Sequence, residues 1–88
     1  MNKDRRKEIA ALQLRLEDVA SLIESLKDDL ENVRDEEQDY FDNMPENMQD
    51  GEKGTRAQDA ISELDDAISA LDDFDGGTII GSLETAAE

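Results

Sequence analysis

The chain has 88 residues, of which 25 are acidic and nine are basic, so its formal net charge is −16 at pH 7. It contains no cysteine and no histidine, which excludes disulfides, thiolate or imidazole metal sites, histidine general bases and cysteine nucleophiles. The length allows one small domain, and the negative charge argues against direct binding to nucleic acid or to an anionic membrane.

A heptad repeat dominates the first half of the chain. From Ile9 to Val33, apolar residues recur at alternating spacings of three and four, which are the a and d spacings of a coiled coil, and Glu37 is a polar break. Either Asn2 or Asp4 can cap the start of this helix. We predict that the helix self-associates through an oligomerisation seam, which consists of Ile9, Leu12, Leu16, Val19, Ile23 and Leu26.

Proline and glycine punctuate the rest of the chain. Pro45 disfavours helix at the residue before it, and the polar segment that follows is typical of a loop. Thr55 with Gln58 matches a capping box that opens a second helix, and Gly76-Gly77 indicates its stop. The tail is expected to fold back as a short turn or to stay loose. The predicted boundaries are a helix over about residues 4–43, a loop over 44–54, a helix over about 55–74 and a tail over 75–88.

The lengths of the two predicted helices constrain their assembly. At the usual rise per residue the first helix is about 57 Å long and the second about half that. A hairpin would leave the first helix bare from Ile9 to Val19, so a second chain would have to cover that part. We therefore predict an all-α protein of one domain: a helical hairpin that dimerises through its coiled-coil seam, parallel or antiparallel, into a partial four-helix bundle.

One metal-binding pattern and one catalytic pattern are present in part, and the sequence disfavours both. Residues 73–84 carry acids at positions 1, 3 and 12 of a calcium loop, but Gly77 and Thr78 fail its central positions. Adjacent aspartates occur along both predicted helices, but a hairpin of this size has little room for the concave, partly dry site that carboxylate catalysis needs. The sequence therefore predicts a protein that is not an enzyme and has no cofactor and no metal.

The acidic side chains form stripes on both predicted helices. An acid every three or four residues gives one charge per about 5 Å of helix, and two or three neighbouring stripes approach the charge density of duplex DNA. Such a surface can bind the Lys and Arg residues of a basic groove, although a solubilising surface is the commoner role. The candidate partner-binding residues are Asp35, Glu36, Asp39, Asp42, Asp59, Glu63, Asp66 and Asp73.

The segment from Tyr40 to Gly54 reads YFDNMPENMQDGEKG. Together with the acidic helix after it, over about residues 35–74, it resembles small acidic phage and prophage proteins, most of which are uncharacterised. The resemblance implies a phage origin and a helix–loop–helix shape. It carries over no catalytic or binding residue. Small acidic phage proteins often inhibit host proteins, some by mimicking DNA, and this analogy bears on function only.

Two functional hypotheses follow. The first is a non-enzymatic phage-type acidic protein in the host bacterial cytoplasm, which acts as an acidic inhibitor or a DNA mimic against a host nucleic-acid-binding or defence protein. Its expected partners are a second copy of itself and a basic host protein, with no direct nucleic acid or membrane contact. The alternative is a coiled-coil structural or assembly adaptor, of phage or host origin, whose acidic surface only solubilises it.

Overall fold

Four helices and no strands make up the computed structural model, which describes residues 1–88. The helices contain 86% of the residues, so the all-α prediction is confirmed. The long first helix is also present. The four helices are α1 (Lys3–Asp42), α2 (Glu46–Gln49), α3 (Glu52–Asp72) and α4 (Gly76–Ala86).

The ends of α1 follow local chemistry. The Oδ1 atom of Asn2 accepts a hydrogen bond of 2.8 Å from the backbone N–H of Arg5, so Asn2, one of the two expected caps, closes the first turn. At the other end, the N–H of Met44 donates to the carbonyl of Phe41 at 3.1 Å. This tightened last turn ends α1 just before Pro45, as proline's restriction on its preceding residue predicts.

The predicted loop over 44–54 is partly helical, which corrects the predicted boundaries. Pro45 immediately precedes the short helix α2. Proline has no backbone N–H, and the start of a helix does not need one for its internal hydrogen bonds, so Pro45 is compatible with this position. Helix α3 then begins at Glu52 rather than at Thr55. The hydroxyl of Thr55 donates back to the carbonyl of Gly51 at 3.1 Å, so Thr55 lies inside the first turn and the predicted capping box is wrong.

The tail is also a helix, α4, rather than a short turn or a loose segment. The prediction that Gly76-Gly77 stops the second helix is wrong in its mechanism, because α3 ends at Asp72 and both glycines lie in the first turn of α4. Neither has a positive φ. Asp75 caps α4 by accepting a hydrogen bond of 3.0 Å from the backbone N–H of Thr78. Because of this cap, the glycine pair begins helix α4 instead of ending α3.

The chain divides into two compact units, residues 1–25 with 74–88 and residues 26–73. In the second unit, Met44, Ala57 and Ile68 are the buried apolar residues. Two ion pairs link α1 to α3 there: Arg34 with Asp65 at 3.1 Å, and Lys27 with Asp72. Lys27 precedes Arg34 in α1, whereas its partner Asp72 follows Asp65 in α3, so the two helices run antiparallel where these pairs form.

In the first unit, α4 lies beside the first part of α1. A Cβ atom placed on Gly76 would lie 3.6 Å from the Cβ atom of Ala20, which is ordinary contact. The guanidinium of Arg6 donates to the backbone carbonyl of Glu88 at 2.9 Å. No residue of this unit is fully buried, so its packing is shallower than that of the second unit.

Candidate interaction surfaces

The two heptad rows of α1 have different surroundings. The apolar a positions, Ile9, Leu16, Ile23 and Leu30, are half-buried. The d positions are all exposed, with exposed fractions between 44% and 52%. We call these five residues the d row: Leu12, Val19, Leu26, Val33 and Tyr40.

The covered face of α1 is formed by its a and e positions. The e residues Ala20, Lys27, Arg34 and Phe41 are half-buried like the a residues. Around the helix axis, an e residue lies about 40° to one side of an a residue, and a d residue lies about 60° to its other side. The chain therefore covers α1 on the a and e side and leaves the d row on the flank.

This arrangement corrects the expectation that the seam would be bare from Ile9 to Val19. Helix α4 reaches this part of α1, so Ile9 and Leu16 are half-buried within one chain. Leu12 and Val19 are exposed because they are d residues, not because the second helix is too short. Of the six predicted seam residues, Ile9, Leu16 and Ile23 face the chain's own helices, and Leu12, Val19 and Leu26 face outward.

Leu22 extends the d row sideways. It is 69% exposed, the highest fraction among the large apolar residues that are exposed on this chain. It follows Val19 by three residues and precedes Leu26 by four, which places all three side by side on the helix surface. We call the d row together with Leu22 the apolar stripe.

All eight acidic residues predicted to bind a partner are exposed. Asp35 pairs with Arg34 at 3.1 Å, and Asp42 accepts a hydrogen bond of 2.9 Å from Gln38. The other six carboxylates have no side-chain partner within the chain. They are Glu36, Asp39, Asp59, Glu63, Asp66 and Asp73.

The acids of α3 lie on its outward face. Asp59 and Asp66 follow the buried Ala57 and the half-buried Leu64, respectively, by two positions, which is about 200° around the helix. On α1, Asp39 likewise follows the half-buried Glu37 by two positions. Asp39 and the acids of α3 therefore lie on the outward faces of different helices.

Two further aspartates have a role that the sequence pattern missed. Asp65 and Asp72 neutralise Arg34 and Lys27 across the contact between α1 and α3. The hydrogen bond that the Arg34 guanidinium donates to Asp65, followed by those it donates to Asp35, raises the pKa of Arg34. The available signal was the pair of cations seven residues apart at e positions, because that spacing places both on one face of α1.

The calcium-loop pattern has a different structural explanation. One carboxylate oxygen of Asp75 accepts the N–H of Thr78, and the other accepts its hydroxyl hydrogen bond at 2.6 Å. These two bonds, the hydroxyl bond first, lower the pKa of Asp75. Residues 76–86 are helical where a calcium loop would have to curve around the ion. No group of three or more acidic side chains is placed to hold a metal ion.

A surface depression of about 370 Å³ lies in the first unit, between α1 and the start of α4. Ile23, Phe74 and Ile80 contribute apolar surface to it, and Glu17 and Glu24 add carboxylates. Such a lining suits the stem and head of a long basic side chain.

None of the four helices combines the length and the apolar character needed to cross a membrane. Comparisons with protein-family models, with curated proteins and with solved structures find no match for this chain. The resemblance of residues 35–74 to small acidic phage proteins therefore stays a prediction from the sequence.

Proposed function

We propose that this chain is a non-enzymatic coiled-coil assembly protein. In this proposal α1 forms a helical hairpin, with α3 in one unit and with α4 in the other, and the apolar stripe is its working surface. The observation that carries the proposal is the exposure of every d position of α1 from Leu12 to Tyr40.

The regularity of the stripe supports an interaction role. Its five d residues recur every seven positions over about 42 Å of helix, whereas incidental surface apolar residues are scattered singly. The stripe also lies beside the face that the chain already covers, as expected for a helix that touches more than one neighbour.

The exposed apolar surface of the d row is large enough to contribute substantially to association. Full burial of a Val or Leu side chain contributes about 1.5–3 kcal/mol, so covering the exposed half of one d-row residue contributes about 1 kcal/mol. Two such stripes bring ten side chains together and contribute on the order of 10 kcal/mol, against an association cost of about 4–15 kcal/mol. The free energy from apolar burial and the cost of association are therefore similar in size. Charges that flank the stripe are then able to decide which partner binds and in which orientation.

A second candidate function is favoured by the six carboxylates without a side-chain partner. Unpaired, exposed acids are free to contact Lys and Arg residues of a basic protein. They support the hypothesis of a phage-type acidic inhibitor, in a bacterial cytoplasm, that occupies the nucleic-acid groove of a host protein. The separation of the two acidic groups on different helices makes this the weaker candidate.

A pull-down from bacterial lysate with two variants separates the candidates. The stripe variant carries Val19→Gln and Leu26→Gln, and the outer-face variant carries Asp59→Lys, Glu63→Lys and Asp66→Lys. If the assembly proposal holds, the stripe variant loses its partners and the outer-face variant keeps them. If a partner is lost only with the outer-face variant and is displaced by DNA, the assembly proposal is wrong and the mimic is right.

Salt provides an independent measurement on any captured partner. Binding through carboxylates to a basic groove weakens steeply as ionic strength rises. Binding through the apolar stripe keeps most of its affinity, because burial of apolar surface is not screened.

A further inference from the structure

We infer that the apolar stripe is covered by a second copy of this chain, with the two α1 helices antiparallel. This inference rests on the proposed coiled-coil function and adds the identity and the orientation of the partner. Three observations carry it: the charges along α1, the unpaired state of those charges, and the symmetry of the d row.

The charge of α1 changes sign along its length. Residues 3–15 contain five basic and two acidic side chains, a net charge of +3. Residues 28–42 contain one basic and eight acidic side chains, a net charge of −7. A parallel pair would place the −7 segment beside its own copy, whereas an antiparallel pair places it beside the +3 segment.

Several of these charges are unpaired within the chain, and among them Arg5, Arg15, Asp29 and Glu36 lie on or beside the line of d positions. Lys3, Arg5, Lys7 and Arg15 are exposed, and none of their side chains makes an ion pair within the chain. In the acidic segment Asp28, Asp29, Glu36 and Asp39 are likewise exposed without a side-chain partner. The complementarity therefore remains unused in one chain.

The charges also flank the stripe itself. Arg15, Leu22, Asp29 and Glu36 form a row at seven-residue spacing along one edge of the d row. The basic member is at one end of the row and the two acidic members are at the other. A parallel partner in register would place Arg15 beside Arg15 and Glu36 beside Glu36.

The d row is symmetric about Leu26, with two members before it and two after it. A two-fold axis at Leu26 pairs Leu12 with Tyr40 and Val19 with Val33, so no d residue is left uncovered. In the same register Arg15 lies opposite Glu36 and Glu37. Apolar and charged rows therefore select the same antiparallel alignment.

Disulfide crosslinking tests the orientation cleanly, because the chain has no cysteine of its own. We expect Val19→Cys and Val33→Cys chains, when mixed, to form a crosslinked heterodimer. Each variant alone should form no crosslinked dimer, because its two cysteines lie far apart in an antiparallel pair. A disulfide forms only when the two cysteine Cα atoms are within about 7 Å. Leu26→Cys should crosslink to itself at the axis. Leu14→Cys, an exposed leucine outside the stripe, is the matched control and should not crosslink.

Each other outcome overturns a defined part of the inference. Efficient self-crosslinking of Val19→Cys alone would show a parallel pair, which contradicts the orientation and leaves the coiled-coil function standing. A folded wild-type monomer in sedimentation, with no crosslinking at any position, would overturn the second copy. If that monomer still bound another protein through the stripe, the assembly function would survive, and otherwise it would fail too.

A charge swap gives a second readout that does not depend on cysteine chemistry. Arg15→Glu should raise the dimer Kd about tenfold, because it replaces two attractions across the dimer by two repulsions. Adding Glu36→Arg to the same chain should restore the wild-type Kd in an antiparallel dimer. If the double variant dimerises no better than Arg15→Glu alone, the antiparallel register is wrong.

Discussion

Single residues place the ends of the helices. Asp75 starts α4 by accepting two hydrogen bonds from Thr78, and Gly54 allows the first turn of α3 to approach Gln49. A Cβ atom on Gly54 would lie 2.0 Å from the backbone oxygen of Gln49, a distance that the backbone cannot accommodate. Gly54 is therefore required by the close approach of α2 and α3, although the sequence pattern assigned it to a loop.

Alanine at Gly54 and at Gly81 should have opposite effects on stability. Gly54→Ala should lower the free energy of unfolding by about 1–3 kcal/mol, because a new methyl group is forced against backbone atoms. Gly81→Ala should raise it by about 0.5–1 kcal/mol, because Gly81 is inside α4 and has nothing within 4 Å of a Cβ atom. Urea unfolding followed by circular dichroism measures both. Equal effects of the two changes would contradict the close approach at Gly54.

The cap of α4 should depend on pH. The folded-state pKa of Asp75 is lowered, so its contribution to stability is present above the pKa of an unfolded aspartate and is lost as pH falls through the lowered value. Asp75→Asn is the matched control, since asparagine also caps helices but does not titrate. Nuclear magnetic resonance of the Thr78 amide should show a low-pH transition that is absent in Asp75→Asn. A wild-type amide that does not respond to acid would contradict this role for the carboxylate.

At the scale of elements, α1 uses one side of its heptad pattern within the chain and leaves another side exposed. Its a and e residues meet the chain's own helices, and its d residues remain exposed. The heptad pattern in the sequence predicts that the a and d residues share one contact, because both are apolar at coiled-coil spacing. Only the position of neighbouring helices shows that the chain uses a with e instead.

Changes on the d row should therefore alter association without unfolding the chain. The stripe variant, Val19→Gln with Leu26→Gln, should raise the dimer Kd at least about tenfold, since each dimer loses four buried apolar side chains. Leu14→Gln removes an equally large exposed side chain outside the stripe and should leave the Kd unchanged. Sedimentation equilibrium measures both, and circular dichroism verifies helicity. A shift of equal size in Leu14→Gln would show that the stripe is not the contact.

At the scale of the whole molecule, the charge is concentrated in one part of the chain. Residues 35–88 contain 17 acidic and two basic side chains, a net charge of −15 out of the total of −16. Self-repulsion of this size opposes the compact state, and the two ion pairs between α1 and α3 offset only a small part of it.

Reducing the net charge on the outward face should stabilise the fold at low salt. The outer-face variant changes three acids to Lys, which adds two charge units each and takes the formal net charge from −16 to −10. Because those acids have no partner to lose, its melting temperature should exceed the wild-type value at about 10 mM salt, and the difference should vanish near 1 M. A melting temperature below that of wild type at low salt would show that these carboxylates have stabilising contacts.

Local rules accounted for much of the fold. The heptad spacing predicted the long first helix, and Pro45 predicted that it ends just before that residue, because both effects act within one or two turns of the chain. The start of α3 and the existence of α4 were missed, since Gly54 and Gly76-Gly77 resemble loop signals unless the packing beside them is known. The exposure of the eight acidic candidates is as expected, but their division between two outward faces depends on which side of each helix is covered.

The sequence by itself determined that this protein is helical, strongly acidic and long in its first helix, because helix periodicity, capping and formal charge are local or additive properties. The tertiary structure decided which half of the heptad pattern is left exposed, which aspartates are neutralised by Lys27 and Arg34, and that residues 76–86 cover part of α1. Those features depend on contacts between residues far apart in the chain, and the spacing of residues along one helix does not encode which neighbour will cover it.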